Sequence, residues 1–440
     1  MPTDTAPAPR QDRPTPWKQL LADKKVLAWA FYDWGNSAYA TTIMAGFFPI
    51  FFKQYWSVGT SAVESTAKLG YANSMASFIL AILSPLLGAL ADRSRGRKKL
   101  LLFFTFIGAI SASSLYFVEK QEWVWAAVLY VFSSIGFFGG QSFYDALLPS
   151  VAKPRDMDQV SGLGYGLGYL GGGVLFAVNV AMTLKPSFFG LEDAAQAVRV
   201  SFFMVGVWWL CFTVPLMWQV EEPPATGERV GLLRLTRDSF RELIATFKSL
   251  RQLRTAFLFL IAYFFYIDGV NTIIKMAVDY GMALGFKTDS LISALLLVQF
   301  IGFPAAIGFS VLANKFGSKK ALNIAIITYA VVTVAATGLQ VEWHFYALAC
   351  AIGLVQGGIQ ALSRSVFGQL IPAEKSGEFY GFFNMLGRFS SVLGPLLIAV
   401  SALISESPRV AMLSLLLLFG TGFFILQKVD FPEEMHGRRE

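Results

Sequence analysis

The chain has 440 residues, 55% of them hydrophobic and 15% charged, with a net charge of +7 and a mean hydropathy of +0.54. A soluble chain carries nearer a quarter of charged residues, so the composition excludes an ordinary water-soluble protein and points to an all-α, polytopic membrane protein. Two cysteines, Cys211 and Cys350, and two histidines, His344 and His436, form no cluster; this excludes a disulfide framework, argues against a bound metal and leaves no sign of a cofactor.

Twelve runs are apolar enough and long enough to span a bilayer. They cover 26–52, 68–91, 99–118, 123–148, 159–183, 199–220, 255–282, 289–313, 320–339, 344–371, 379–404 and 409–428. The domain organisation follows. Residues 1–25 are an N-terminal tail with a Pro/Thr-rich start that predicts disorder and lacks a signal-peptide core. Residues 26–220 form a first six-helix half, 221–254 a basic linker, 255–428 a second six-helix half and 429–440 a second tail. Leu232–Leu253 has apolar residues at helical spacing with arginines between; it suits a membrane-surface helix or a solvated linker helix equally.

Lysine and arginine divide unevenly among the loops. With the N-terminus inside, 26 fall on the inner side and 7 on the outer, while Lys275, Arg364 and Arg388 lie within spans. This positive-inside bias predicts that both termini are cytoplasmic. It also accounts for the net charge without a nucleic-acid partner.

The first span contains Tyr32-Asp33-Trp34-Gly35-Asn36-Ser37-Ala38-Tyr39. Asp33 and Asn36 share one helix face. An aspartate in hydrocarbon costs roughly 2.5–3.5 kcal/mol, so Asp33 is expected against another helix or a water-filled path. Tyr32 and its aromatic neighbours could stack on a solute or simply pack. The seventh span repeats the pattern: Asp268, Asn271 and Lys275 are spaced i, i+3, i+7 as one polar stripe. That stripe either lines a pathway, gripping the two ends of a zwitterion, or closes on itself as an Asp268–Lys275 pair. Arg388 falls near the middle of the eleventh span, able to meet a carboxylate of a solute or of the protein.

The halves repeat in register. Gly139, Gln141, Asp145, Gly162 and Gly168 recur 219 positions on as Gly358, Gln360, Arg364, Gly381 and Gly387. Two six-helix halves joined by a basic loop describe a transporter with parallel repeats. Asp145 and Arg364 carry opposite charges at equivalent positions, which suggests an inner gate. The stronger expectation is that Asp145 instead joins a loop network with Arg93 or Arg97. In the fifth span, Gly168 and Gly172 permit close helix packing.

The loop after the second span reads Gly88-Ala-Leu-Ala-Asp92-Arg93-Ser-Arg95-Gly96-Arg97-Lys98-Lys99. Gly88 allows close approach, and Asp92 can cap a helix start and pair with a base, making a latch. The counterpart, Ser310-Val-Leu-Ala-Asn314-Lys315-Phe316-Gly317-Ser318-Lys319-Lys320, lacks the acid, so a weaker latch is expected there. The two loops resemble the loop motif of the major facilitator superfamily, although one extra residue precedes Gly96. Phe31 to Thr42, followed by Phe47-Phe48-Pro49, looks like the first helix of the unknown major facilitator family, related to the fungal autophagy-associated vacuolar effluxer.

The resemblance implies twelve helices in two pseudo-symmetric halves, alternating access, a monomer in a bacterial cell membrane and an amino-acid-like solute. The residues expected to bind the solute are Tyr32, Asp33, Asn36, Asp268, Asn271, Lys275 and Arg388. Asp33 and Asp268 are the proton-coupling candidates, as acids in a low-dielectric setting. Gly88, Asp92, Arg93, Arg97, Asp145 and Arg364 are the expected latch and gate. An exporter of amphipathic drugs or lysolipids on the same fold is the alternative. A non-transporting sensor is disfavoured by the short loops, and an enzyme by the absence of a nucleophile–base set.

Overall fold

The computed structural model describes residues 14–60, 96–222, 247–389, 393–405 and 408–431, with isolated positions 64, 68, 71, 72, 75 and 79. Every regular element among them is helical. The expected second span lies mostly outside the described residues, as do Gly88, Asp92 and Arg93 and most of the linker.

The first span starts at α1, Lys24–Ala38, where Asp23 caps the helix by accepting from the Lys25 amide at 2.8 Å. It continues as a π-helix over Tyr39–Phe47, an α-turn over Phe48–Phe51 and a second π-stretch over Phe52–Trp56. Thr41 donates to the Ser37 carbonyl at 3.0 Å and Pro49 withholds an N–H; both loosen the i→i−4 ladder. The helical run is therefore longer than 26–52. The remaining long helices are α2 Arg97–Ser114, α3 Trp123–Ala146, α4 Met157–Leu184, α5 Ala194–Gln219, α6 Arg254–Ala283, α7 Thr288–Phe316, α8 Ser318–Ala336, α9 Glu342–Leu370, α10 Ser376–Phe389, α11 Leu393–Ser405 and α12 Leu415–Gln427. Among the described residues, ten helical segments are long and apolar enough to cross a membrane. Large apolar side chains such as Phe103, Phe106, Trp125, Phe132, Ile404, Leu417 and Phe424 are exposed on the outside of the bundle, as a lipid-facing surface requires.

The apolar interior divides into two large clusters and a small one of Ala294, Val298 and Ala349. One large cluster is built from residues of the first half. The other is built from the second half together with Ala146, at the end of α3. The N-terminal residues, the end of α5 and the start of α6 lie at one end of the bundle, termed here the tail end. Residues 14–25, read from sequence as part of a tail, are structured: a short helix covers Trp17–Leu20, and Thr15 donates from its amide and hydroxyl to Asp156 at 2.8 and 2.9 Å. Asp156 is buried, and its carboxylate satisfies both donors, which fixes this stretch.

α4 stands at the centre. A Cβ on Gly168 would come within 2.6 Å of Ser37 Oγ, and one on Gly172 within 3.0 Å of the Ser37 carbonyl oxygen. This face of α4 therefore lies directly on the α1 backbone. The opposite face, at Gly162, meets Ser310 of α7 in the same way. α4 thus packs on its own half with one side and on the other half with the other.

Candidate functional site

The repeat register meets itself at one point. Arg364 on α9 donates from Nη1 to Asp145 Oδ1 on α3 at 3.1 Å. These residues are equivalents, 219 positions apart. Two residues related by a two-fold axis touch each other only near that axis, so the pair marks the centre of the interface. Both are buried, at 1% and 2% exposure.

Neighbours repeat the exchange. Asn384 of α10 donates to Asp145 Oδ2 at 3.0 Å, and the Tyr165 ring of α4 lies 4.3 Å from the Arg364 guanidinium. Tyr165 and Asn384 are themselves one repeat apart, so each half covers the other half's charge from the equivalent position. One layer on, Arg388 donates to the Phe138 carbonyl at 2.6 Å, and its equivalent, Tyr169, donates to Gln360 at 3.5 Å. Arg364 also holds Ser161, donating to its hydroxyl at 2.9 Å and its carbonyl at 3.0 Å. Tyr380 donates to the Arg364 carbonyl at 2.7 Å.

The first helix enters the same cluster. Asp33 Oδ2 is 3.8 Å from Arg364 Nη1 and accepts from the Tyr144 hydroxyl at 3.4 Å. Ser37 donates to its other oxygen at 3.3 Å. Trp29 stacks on Tyr144 at 4.3 Å and lies 4.8 Å from the guanidinium. Asn36 donates to Gln141 at 2.9 Å, which donates to Asp145 at 3.1 Å. Asp33 and Asn36 of the first-span motif therefore both lead to one guanidinium. This core joins one base to two acids, so with all three ionised it carries net −1 away from solvent. A single proton on either carboxylate neutralises it.

The structure does not bring the expected binding residues into one set. Tyr32 is fully buried and turned toward α2, its hydroxyl 3.1 Å from Thr105 Oγ1. The Asp268–Asn271–Lys275 stripe splits. Asp268 accepts from the Gly394 amide at 3.0 and 3.1 Å and from Thr272 at 3.4 Å. Asn271 donates to the Gly387 carbonyl at 3.2 Å. A proline disturbs the helical ladder in the turn before it; Pro395 follows Gly394, and Asp268 takes the amide there. Lys275, farther along α6, is exposed. Asp268 thus reaches the eleventh span, and its charge also acts on Lys275.

The loop residues also differ from expectation. Arg97 is buried and donates to the carbonyls of Ala146 at 3.2 Å and Glu374 at 3.2 Å. Asp145 does not meet Arg97; it goes to Arg364, whose guanidinium reaches it inside the low-dielectric interface. Arg93 lies outside the described residues. The acid missing from the 310–320 loop is supplied by the other half. Asp158, at the start of α4, accepts from Ser318 at 2.7 Å, Gln369 at 3.2 Å and Ser365. Sequence reading passed over Asp158, along with Ser161, Tyr144, Tyr165 and Trp29. The shared offset carried a usable signal: Tyr165 aligns with Asn384, and Ser161 with Tyr380.

Cross-half contacts close the tail end: Ser376 to the Ala146 carbonyl at 3.0 Å, Ser161 to the Ala361 carbonyl at 2.7 Å, Arg97 to Glu374 and Asp158 to Ser318.

Residues 22–439 match the family model described as "Vacuole effluxer Atg22 like". The chain is 40% identical to the uncharacterized MFS-type transporter YxiO of Bacillus subtilis, over 93% of this chain and 95% of that protein. It is 26% identical to autophagy-related protein 22 of Yarrowia lipolytica, over 80% of this chain and 72% of that one. Among solved structures it resembles the human organic anion transporter MFSD10 (TM-score 0.70, 14% identity, 94% of this chain and all of that one) and the proton:xylose symporter XylE (TM-score 0.68, 15% identity, 95% and 98%). At these identities the structural likeness establishes the fold. The chain belongs to the Atg22-like effluxer family, within the major facilitator superfamily.

Proposed function

We propose that this secondary transporter moves amino acids or closely related solutes by alternating access through twelve helices, as a monomer with both termini in the cytoplasm. The observation that carries the mechanism is the Asp145–Arg364 contact between repeat equivalents. A two-fold-related pair on the axis joins the halves when one end is closed and parts when they rock, as parallel-repeat transporters do. The lysine and arginine bias supports taking the tail end as cytoplasmic. The structure then corresponds to the state closed toward the cytoplasm.

The solute site in this reading lies between α1 and α6, beyond the closed end. Lys275 is the exposed cation there, suited to a carboxylate, with Asn271 and Arg388 on the same side and Asp33 and Asn36 opposite. For proton coupling, Asp33 is the stronger candidate. It belongs to the cluster with one acid in excess, whereas Asp268 is engaged by the Gly394 amide. No catalytic reaction is assigned.

The test is counterflow in proteoliposomes preloaded in turn with amino acids, peptides, sugars and nucleosides. Accumulation of a labelled amino acid, lost in Lys275→Ala, is the expected result. Silence across the amino acids, with transport of lysolipid or cationic dye, would sink the amino-acid reading and leave the amphipath exporter in its place.

A further inference from the structure

Away from the interface, α6 and α10 border a groove on the flank of the second half. Its cavity is about 250 Å³ and is lined wholly by apolar side chains, among them Phe247, Leu250, Phe257, Ile261, Phe382 and Leu386. Phe247 forms its rim, edge-on to Phe257 at 5.7 Å and 6.2 Å from Phe382, with 42% of its surface exposed. Leu250 is fully buried beneath it.

The groove has a definite depth. α6 starts at Arg254, so Phe257 to Phe264 lie roughly 5–15 Å along the helix at 1.5 Å per residue. That is the level of acyl chains just below the headgroups. The residues above the groove are basic: Lys248 and Arg251 adjoin the lining residues Phe247 and Leu250, and Arg254 lies one turn before Phe257. All three are exposed. Two acids of the lining helices stand one turn from the groove: Glu378, before Phe382, is engaged in contacts of its own, and Asp268, after Phe264, is held by the Gly394 amide. An apolar slot under three exposed cations matches one ligand chemistry, a hydrocarbon chain bearing an anionic headgroup.

We infer that this groove is a binding site for an anionic phospholipid, with an acyl chain between α6 and α10 and the headgroup on Lys248, Arg251 and Arg254. The inference goes beyond the transport reading and does not depend on the solute. It would couple the second half to the lipid composition of the leaflet at the tail end, because α10 also carries Asn384, a partner of Asp145.

The experiment places photoreactive benzoylphenylalanine at Leu386 in the full chain, reconstituted in bilayers containing phosphatidylglycerol or phosphatidylcholine alone. Mass spectrometry then identifies the adducts. Phosphatidylglycerol adducts should dominate, and Lys248→Gln/Arg251→Gln/Arg254→Gln should erase the preference. Each basic side chain near an anionic surface contributes roughly fivefold, so the combined loss is on the order of 100-fold. Ile261→Trp, which fills the slot, should remove the lipid adduct with the basic residues intact. Equal labelling by the two lipids, an unchanged preference in the triple variant, or an intrachain adduct to residues 223–246 would each overturn the inference. The last would show the linker to be the occupant.

Discussion

Replacing Arg364 with glutamine leaves Asp145 and Asp33 in the closed interface without their guanidinium. The pair is buried on both sides and made at 3.1 Å. Removing one partner of a buried pair costs about 3–5 kcal/mol, because a charge is stranded in low dielectric. Here the penalty falls on the closed state, since opening the tail end admits water to the same carboxylates. A 3 kcal/mol shift is a factor of about 100 in the equilibrium between closed and open. Ala146 is fully buried at this end and packs with the second-half cluster, so a cysteine there reports opening. In a background with Cys211 and Cys350 replaced by serine, Ala146→Cys should react slowly with a water-soluble maleimide applied from the tail side. Adding Arg364→Gln should accelerate labelling on the order of 100-fold. The charge swap Asp145→Arg/Arg364→Asp should recover at least tenfold of that, because repeat symmetry places hydrogen-bonding groups around both positions. Unchanged labelling in Arg364→Gln, within about twofold, refutes the idea that this pair holds the end shut.

Three further outcomes follow from the same contacts. Asp158→Ala removes the acceptor for Ser318, Gln369 and Ser365; hydrogen bonds to a charged group contribute about 1.5–3 kcal/mol, so Ala146→Cys labelling should rise roughly 10- to 100-fold. Gly168→Val drives side-chain atoms into Ser37 and Asp33 and should lower stability by about 1–3 kcal/mol, read as a drop in Tm of the detergent-purified protein; an unchanged Tm would mean that α1 and α4 are not held this close. Asp33→Asn should flatten the pH dependence of transport while the protein remains folded, whereas Asp268→Ala should cost stability, about 1–3 kcal/mol for the unsatisfied Gly394 amide; a reversed pattern in the transport pH profiles and melting curves would exchange the two roles.

The all-helical class and the order of the described spans were legible in the sequence, because twenty-residue apolar runs in hydrocarbon have few other ways to satisfy their backbones. Several boundaries agree closely: 255–282 became Arg254–Ala283, and 289–313 became Thr288–Phe316. The π-helical stretch of the first span was not legible, since it arises from the balance of Thr41, Pro49 and close packing by α4. The repeat register was also in the sequence, and with it the pairing of Asp145 with Arg364 as equivalents.

What only the tertiary structure decided is which of several allowed partners each polar side chain takes. Asp145 had a loop arginine and a repeat-related arginine within reach of any one-dimensional argument. The choice fell to Arg364 because the two-fold axis brings equivalent positions together inside the bundle, while Arg97 reaches carbonyls at its edge. Asp268 and Lys275 share a helix face by spacing, yet the Gly394 amide reaches the carboxylate from another helix. Spacing along one helix fixes which residues face the same way; what they face is set by neighbours distant in sequence, and a buried charge goes to the nearest donor that desolvation leaves unpaired.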